Sequence, residues 1–328
     1  MGELHFVTLD VFTAERFRGN PLAIVYVPPT TELSLVRKRA IAKEFNLSET
    51  VFLHLSLPDI SNVDGKDISI DIFTVDQELP FAGHPTIGTS YHLLSKTGKA
   101  SAINLVTKAG RIPASFDPDS NRIRLEVPHA ITIHGLSIPV AKVSQALGLP
   151  PSFPSNSIIP NDLKGAGVAL VSVVKGLAFV LLRVASLDVL AALTNTGVKF
   201  KAEDVGATDL ASDAFIATYV YYIREESAIT TKIRTRMYEG NLEDPATGSA
   251  ASCLCAYLSI AAASGERSAP AQASLREYEV TQGVEMGRQS DISVGVQLKA
   301  AKGEEGASVE RIWLGGSAVE VMHGTIST

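Results

Sequence analysis

The spacing of apolar and polar positions changes repeatedly along the chain, and each change marks an element. Residues 5–12 alternate loosely and are rich in β-branched and aromatic types, which predicts a strand. The turn residues Arg18-Gly19-Asn20-Pro21 follow, and residues 22–27 read as a second strand. Over residues 32–45 the period lengthens. Leu33, Val36, Ala40, Ile41 and Phe45 recur at three- and four-residue steps opposite Arg37, Lys38, Lys43 and Glu44, which predicts an amphipathic helix. Strand-like runs return at 50–55 and 68–74, where Ile68, Ile70 and Ile72 alternate with Ser69, Asp71 and Phe73. A loop from Pro80 to Gly83 then leads into an apolar helical stretch ending near Leu94. Beyond the middle of the chain, 166–174 and 178–184 read as buried strands, 186–193 as a helix, and 215–223 and 229–238 as strands. Residues 261–274 (AAASGERSAPAQAS) are a small-residue, low-complexity stretch that reads as an exposed loop.

Eight of the sixteen prolines lie between Pro113 and Pro160, a concentration that marks turns and connections and puts a domain join near Pro128. The expected domains are 1–127 and 128–317. Whether the last strand, within 318–328, pairs back into the first domain is left open. An internal match supports the division. Glu78-Leu79-Pro80-Phe81-Ala82-Gly83 lies over Glu243-Asp244-Pro245-Ala246-Thr247-Gly248, both E-x-P-x-x-G, both after a strand-like run and before an apolar helix. The copies are 165 residues apart, too long a period for a solenoid and suited to two domains of one topology.

Composition removes whole classes of function. The 328 residues are 45% hydrophobic and 20% charged, an ordinary globular balance. The net charge is −6 and no Lys/Arg block is present, so nucleic acid is not an expected partner. Two cysteines, Cys253 and Cys255, exclude a disulfide scaffold and read as buried thiols on an apolar helix. The opening residues lack the pattern of a signal peptide, and no stretch is long and apolar enough for a membrane span. A soluble, cytoplasmic protein with no membrane partner is the expectation. Seven histidines form no HxxxH or HxH pair, so no metal site is expected. There is no GxxxxGK[ST] and no GxSxG, and Gly165-Ala166-Gly167 lacks the third glycine of a dinucleotide fingerprint. No cofactor is expected.

What remains is the pair of glycine loops. At the head of a helix, backbone N–H groups and the positive dipole end hold an anion without Arg or Lys. Two such loops suit a carboxylate-bearing substrate whose charge is balanced as a proton leaves a neighbouring carbon. The plain alternative is a pair of glycine turns that only begin helices. Three titratable side chains lie in or near the loops: His84 after Gly83, Asp244 in the second loop, and Glu49 at the end of Asn46-Leu47-Ser48-Glu49. Carboxylates move protons at carbon once a site lifts their pKa towards working pH. Each also has an ordinary reading. Glu49 fits a solvated loop, His84 a helix-start residue, and Asp244 an N-cap.

Several blocks together resemble the PhzF-like family, named for the phenazine-biosynthesis isomerase. They are Asp10-Val11-Phe12-Thr13, Phe17-Arg18-Gly19-Asn20-Pro21-Leu22-Ala23, Asn46-Leu47-Ser48-Glu49-Thr50 and Pro80-Phe81-Ala82-Gly83-His84-Pro85-Thr86-Ile87-Gly88. Gly240-Asn241-Leu242-Glu243-Asp244-Pro245-Ala246-Thr247-Gly248-Ser249-Ala250, Gln282-Gly283 and Met286-Gly287-Arg288 complete the series. The resemblance implies an α/β (α+β) fold of the diaminopimelate-epimerase type. In that fold two similar domains each curl a mostly antiparallel sheet around a central helix, with the active site in the interdomain cleft. It implies a cofactor-independent isomerase or epimerase, a homodimer, acting on a small carboxylate-bearing molecule. It assigns Glu49 the proton transfer, His84 and Asp244 catalytic support, and Gly83, Gly248, Ser249 and Asn20 contacts to substrate.

The departures from the family pattern are few. Neither PFAGHPT nor EDPATGS contains Cys, so a two-thiol racemase is not expected. Val75 and Gln289 stand where many relatives have proline, and the 261–274 segment is long. The reading is an isomerase with Glu49 as a single general acid/base. The alternatives are an epimerase acting at a carbon α to a carboxylate, with Glu49 and Asp244 on opposite faces, and a non-catalytic ligand-binding protein.

Overall fold

The computed structural model describes residues 2–99, 101–134, 140–149, 157–159, 168–227, 229–265, 275–299 and 307–328. The chain divides into two compact units. One comprises Met1–Val127, Gly287–Ile292 and Leu314–Thr328; the other comprises Pro128–Met286 and Ser293–Trp313.

In the first unit β1 (Glu3–Val11) and β2 (Asn20–Tyr26) form an antiparallel pair, and the C-terminal strand Ala318–Ser327 lies antiparallel on the other side of β1. Helix α1 (Leu35–Phe45) begins where Ser34 Oγ accepts the N–H of Arg37 at 3.2 Å. It begins later than periodicity alone suggests, because the capping serine interrupts the apolar spacing. It stops at Asn46, whose left-handed φ of 52° suits a short polar side chain. Strand β3 (Thr50–Leu53) runs parallel to β2, and β4 (Asp67–Phe73) antiparallel to β3. The short β5 (Glu78–Leu79) pairs back on β4 before helix α2 (Gly83–Leu94). Then β6 (Ser101–Thr107) joins β4 in parallel, and β7 (Gly110–Asp117) and β8 (Arg122–Glu126) continue as an antiparallel meander.

Helix α2 touches strands at both ends of this order, from the C-terminal strand, β1 and β2 to β6, β7 and β8. A flat sheet cannot do that, so the sheet curls around the helix. Every residue of α2 except Tyr91 is buried. Its overall apolarity, rather than one apolar stripe, follows from having no solvent face. The outer side of the sheet is covered by α1, where Ile41 and Ala42 join Leu4, Val25, Val27, Phe52 and Phe73.

The second unit contains β9 (Thr132–His134), α3 (Val140–Ala146), β10 (Ile158–Ile159), β11 (Val168–Val174) and β12 (Leu177–Val184). After α4 (Leu187–Ala192) and α5 (Ala202–Val205) come β13 (Phe215–Glu226), β14 (Thr230–Glu239) and β15 (Leu242–Asp244). Helix α6 (Gly248–Gly265), β16 (Leu275–Gln282), β17 (Ser290–Leu298) and β18 (Val309–Gly316) follow, which makes the C-terminal strand β19. Pairings repeat those of the first unit. Antiparallel β11–β12, parallel β12–β13, antiparallel β13–β14, the short antiparallel β15 and parallel β14–β16 correspond to β1–β2, β2–β3, β3–β4, β5 and β4–β6. β9 lies on β11 as β19 lies on β1. Helix α6 packs on β11, β12 and β16. Both copies of E-x-P-x-x-G therefore join a two- or three-residue strand to a central helix.

One local expectation is corrected. Residues 261–265 are not loop but the last turn of α6, since a run of alanines propagates a helix already begun. Residues 266–274, and Gly165-Ala166-Gly167, lie outside the described residues.

The enclosure of α2 depends on Gly88. A Cβ there would sit 2.6 Å from Leu22 Cδ2 and 2.7 Å from Val11 Cγ2, both on fully buried side chains. In an exposed helix Gly→Ala stabilises by about 1 kcal/mol. Here Gly88→Ala is expected to destabilise by about 1–2 kcal/mol through overpacking. Urea unfolding of the variant beside the parent checks it; equal or greater stability would mean that the helix is not held this tightly.

Candidate active site

Alternate residues of β2 point at α2 and meet successive turns of it. Asn20 reaches His84, Leu22 faces Gly88, and Tyr26 reaches His92. The first of these contacts belongs to a polar cluster at the helix N-terminus. His84 is the second residue of α2, and its Nδ1 lies 3.5 Å from Asn20 Nδ2 and 3.5 Å from Glu49 Oε2. Ser48 Oγ donates to Asn20 Oδ1 at 3.4 Å. The turn from Asn46 to Glu49 delivers Glu49 here, because Thr50 is held opposite Ala23 of β2. Glu49 Oε2 is closed off from solvent and accepts no hydrogen bond. Burial therefore pushes the Glu49 carboxyl up to about 7, with the Ser48 hydroxyl pulling in the other direction. The solvated-loop reading of Glu49 does not describe this position.

Asn20 is placed by a corner that carries three of the sequence blocks. Arg288 Nε donates to the carbonyl of Gly19 at 2.8 Å, and its Nη2 donates to the carbonyl of Arg18 at 3.0 Å and to Asp10 Oδ1 at 2.6 Å. Asp10 Oδ2 accepts the N–H of Phe17 at 2.6 Å. Gly19 has φ +66°, and a Cβ there would fall 2.3 Å from the carbonyl oxygen of Val11. Only glycine fits, which explains the glycine before Asn20.

Gly83 opens α2, and Ala82, as its N-cap, brings no side-chain acceptor to the first turn. The far end of α2 is closed differently. His92 bonds Tyr26 through Nε2 and Glu320 through Nδ1 at 2.6 Å, and Glu320 also meets Lys96 at 3.0 Å. The hydrogen bond from His92 holds the Glu320 carboxyl at about 2.

In the second unit Asp244 ends β15 and is buried, and Thr247 Oγ1 donates to its Oδ2 at 2.5 Å. Gly248 and Ser249 open α6. Glu243 is fixed beside them by a bidentate pair with Arg236, at 2.7 and 3.0 Å. Nη1 of the same arginine donates to the carbonyls of Leu190 and Leu193 at 3.0 and 2.8 Å, tying down the end of α4. The structure thus gathers Glu49, His84 and Asn20 into one cluster, and Asp244, Gly248 and Ser249 into one loop. Sequence reasoning did not single out Ser48, Thr247, Arg236 or Gln282 for a role. Ser48, Thr247 and Gln282 stand inside the motif blocks, whereas Arg236 gave no signal. Cys253 and Cys255 are buried, and burial pushes both thiols up, far from a nucleophile's range. Among the described residues no group of three His, Cys, Asp or Glu could hold a metal ion, and no helix is long and apolar enough to cross a membrane.

The sequence pattern of the family described as phenazine biosynthesis-like protein (PhzC-PhzF) matches residues 9–324. An uncharacterized isomerase of Mesorhizobium japonicum is 31% identical over 98% of both chains. The trans-2,3-dihydro-3-hydroxyanthranilate isomerase of Pseudomonas aeruginosa is 30% identical over 87% of both. Among solved structures, a PhzF-family phenazine biosynthesis protein of Bacillus anthracis superposes with a TM-score of 0.72, at 21% identity and 100% coverage of both chains. A hydroxyproline epimerase of Agrobacterium vitis gives 0.50 at 14% identity, covering 99% of this chain and 92% of that one. The fold is the epimerase-like one they share.

The state of Glu49 sets a pH dependence of stability. Its folded pKa, about 7, lies above its value in an unfolded chain, so protons bind the folded form more tightly. The stabilisation is complete below about pH 4 and is lost as pH rises through 7. Glu49→Gln, which has no charge to bury, is expected to be more stable than the parent by about 1–3 kcal/mol at pH 8 and to lose that advantage near pH 4. Urea unfolding at both pH values measures the difference, and an advantage independent of pH would contradict the raised pKa.

Proposed function

The chain belongs to the phenazine biosynthesis-like family and is an isomerase-type enzyme; we propose that Glu49 is its single general acid/base, moving a proton between two carbons of a small carboxylate-bearing molecule. The observation that carries this reading is the buried Glu49 carboxyl near neutral pKa, with His84 3.5 Å away. A group with a pKa near working pH is present in both forms, so it can take a proton and give it back.

In the proposed reaction, ionised Glu49 removes a proton from a substrate carbon. The electron pair left behind spreads into the conjugated, carboxylate-bearing system. Protonated Glu49 then returns the proton to a second carbon on the same face, so charge and atoms balance and no cofactor enters. His84, 3.5 Å from Glu49, and Asn20, bonded by Ser48, orient the substrate. Gly83, Gly248 and Ser249 are assigned to substrate oxygens through the N–H-rich starts of α2 and α6. Asp244 is assigned to a polar group of the substrate.

The Pseudomonas aeruginosa relative supplies the first probe, trans-2,3-dihydro-3-hydroxyanthranilate, within a wider panel of cyclic and acyclic carboxylates. Each is followed by NMR in D2O with the parent enzyme and Glu49→Gln. A shifted double bond, with the rate lowered by about 10²–10⁴ in the variant, is the expected outcome. The rate in the parent should fall below pH 7 as Glu49 takes up its proton. An inverted centre instead of a moved double bond would replace this reading with epimerisation, and turnover unchanged in Glu49→Gln would remove Glu49 from the mechanism.

A further inference from the structure

β16 ends at Gln282, a polar side chain with no exposed surface. Its Nε2 donates to the carbonyl of Asp244 at 2.7 Å and to Thr247 Oγ1 at 3.1 Å. Its Oε1 accepts the N–H of Thr247 at 3.3 Å and the hydroxyl of Tyr219 at 3.0 Å, with Thr235 Oγ1 at 3.5 Å. Tyr219 and Thr235, both fully buried, lie 3.0 Å from one another and share the remaining lone pair. Donor and acceptor agree throughout. The Thr247 hydroxyl receives from Gln282 and spends its own proton on Asp244 Oδ2. Exchanging O and N of the amide would set N–H against N–H and oxygen against the Asp244 carbonyl, so the network fixes the amide's orientation.

Among the described residues the first unit has no such clamp. There the repeat has Leu79 where the second has Asp244, and its loop is held by a backbone bond, from the N–H of Ala109 to the carbonyl of Pro80 at 3.2 Å. By register Ser69, opposite Val106, matches Arg234, opposite Thr281, so Thr107 at the end of β6 stands where Gln282 stands at the end of β16. A glutamine and a carboxylate thus appear together in one copy of the repeat and are both absent from the other. A loop that needed only to start a helix would not require either.

We infer that Gln282 is a positioning residue for the reaction: it holds the loop from Asp244 to Thr247 so that the Thr247 hydroxyl fixes the direction of the Asp244 carboxylate. This rests on the proposed use of Asp244 by the enzyme. Gln282 itself touches neither carboxylate oxygen and acts through Thr247 and the main chain.

The test replaces Gln282 with Met, which keeps length and removes every hydrogen bond. Amide hydrogen exchange needs no substrate. Thr247, Gly248 and Ser249 are expected to exchange at least about tenfold faster in Gln282→Met, while the centres of β13 and β14 keep their protection. With any substrate the parent isomerises, kcat should fall by about tenfold or more with KM little changed, and Asp244→Asn with Gln282→Met should be no slower than Asp244→Asn alone. Unchanged protection at Thr247–Ser249 overturns the inference. So does an even loss across the whole second unit, or losses that multiply in the double variant. If Gln282→Met does not fold, Thr247→Val removes only the hydroxyl and should lower kcat in the same way; parental kcat in that variant overturns the inference too. Full turnover in Asp244→Asn would sink the role given to Asp244, while the exchange data still decide whether Gln282 holds the loop.

Discussion

A helix enclosed by its own sheet has no face to give to water, and the first unit is organised by that constraint. Every polar group on α2 must find a partner inside the protein or remain costly. Side chains at the closest approach must be small, which is why Gly88 lies against Leu22 and Val11. The helix can then carry function only at its ends, where strands stop and loops begin. His84 stands at one end and His92 at the other, two turns apart on the same side, each facing a residue of β2.

The two ends show how the same chemistry gives opposite results. At the C-terminal end Glu320 is half exposed and receives a hydrogen bond from His92, with Lys96 beside it, and its carboxyl is held at about 2. That carboxylate is a fixed charge which locks α2 to β19. At the N-terminal end Glu49 is largely buried, its Oε2 is closed off and accepts no hydrogen bond, and its carboxyl rises to about 7. Partners make a carboxylate structural, whereas burial without enough partners makes it a proton carrier. The destabilisation stored in Glu49 is tolerable because the surrounding elements are over-determined. Ser34 and Asn46 bound α1, β3 is paired on both sides, and Arg288 ties the Gly19 corner to Asp10.

The units repeat one set of strand pairings, yet their loops have diverged. Leu79 and Ala82 in one copy correspond in sequence to Asp244 and Thr247 in the other; a backbone bond holds the first loop, and a buried side-chain network holds the second. Sequence comparison within the chain exposes the shared glycine and proline. It does not expose the network, because Gln282, Tyr219 and Thr235 come from three separate strands.

Local pattern determined much of this protein. The amphipathic spacing of α1, the Ile68–Ile72 alternation of β4, the glycine that opens each central helix and the paired E-x-P-x-x-G loops are all set by short-range chemistry, and the family blocks pointed to Glu49, His84 and Asp244. Other elements go unread. The strands β6–β8 and β17 run for five to nine residues with a clear inward–outward alternation that the sequence reading leaves unassigned, and the alanine-rich end of α6 reads as loop. The sequence does not decide whether β19 returns to β1, since strand pairing depends on an edge more than 300 residues away. Arg288 reaching Gly19, Arg236 reaching α4 and Gln282 reaching Asp244 are likewise decided in three dimensions. A residue's identity fixes what it can donate, accept or ionise. How far it is buried, and what stands beside it there, depends on distant strands, and that alone sets Glu49 apart from any other glutamate in a loop.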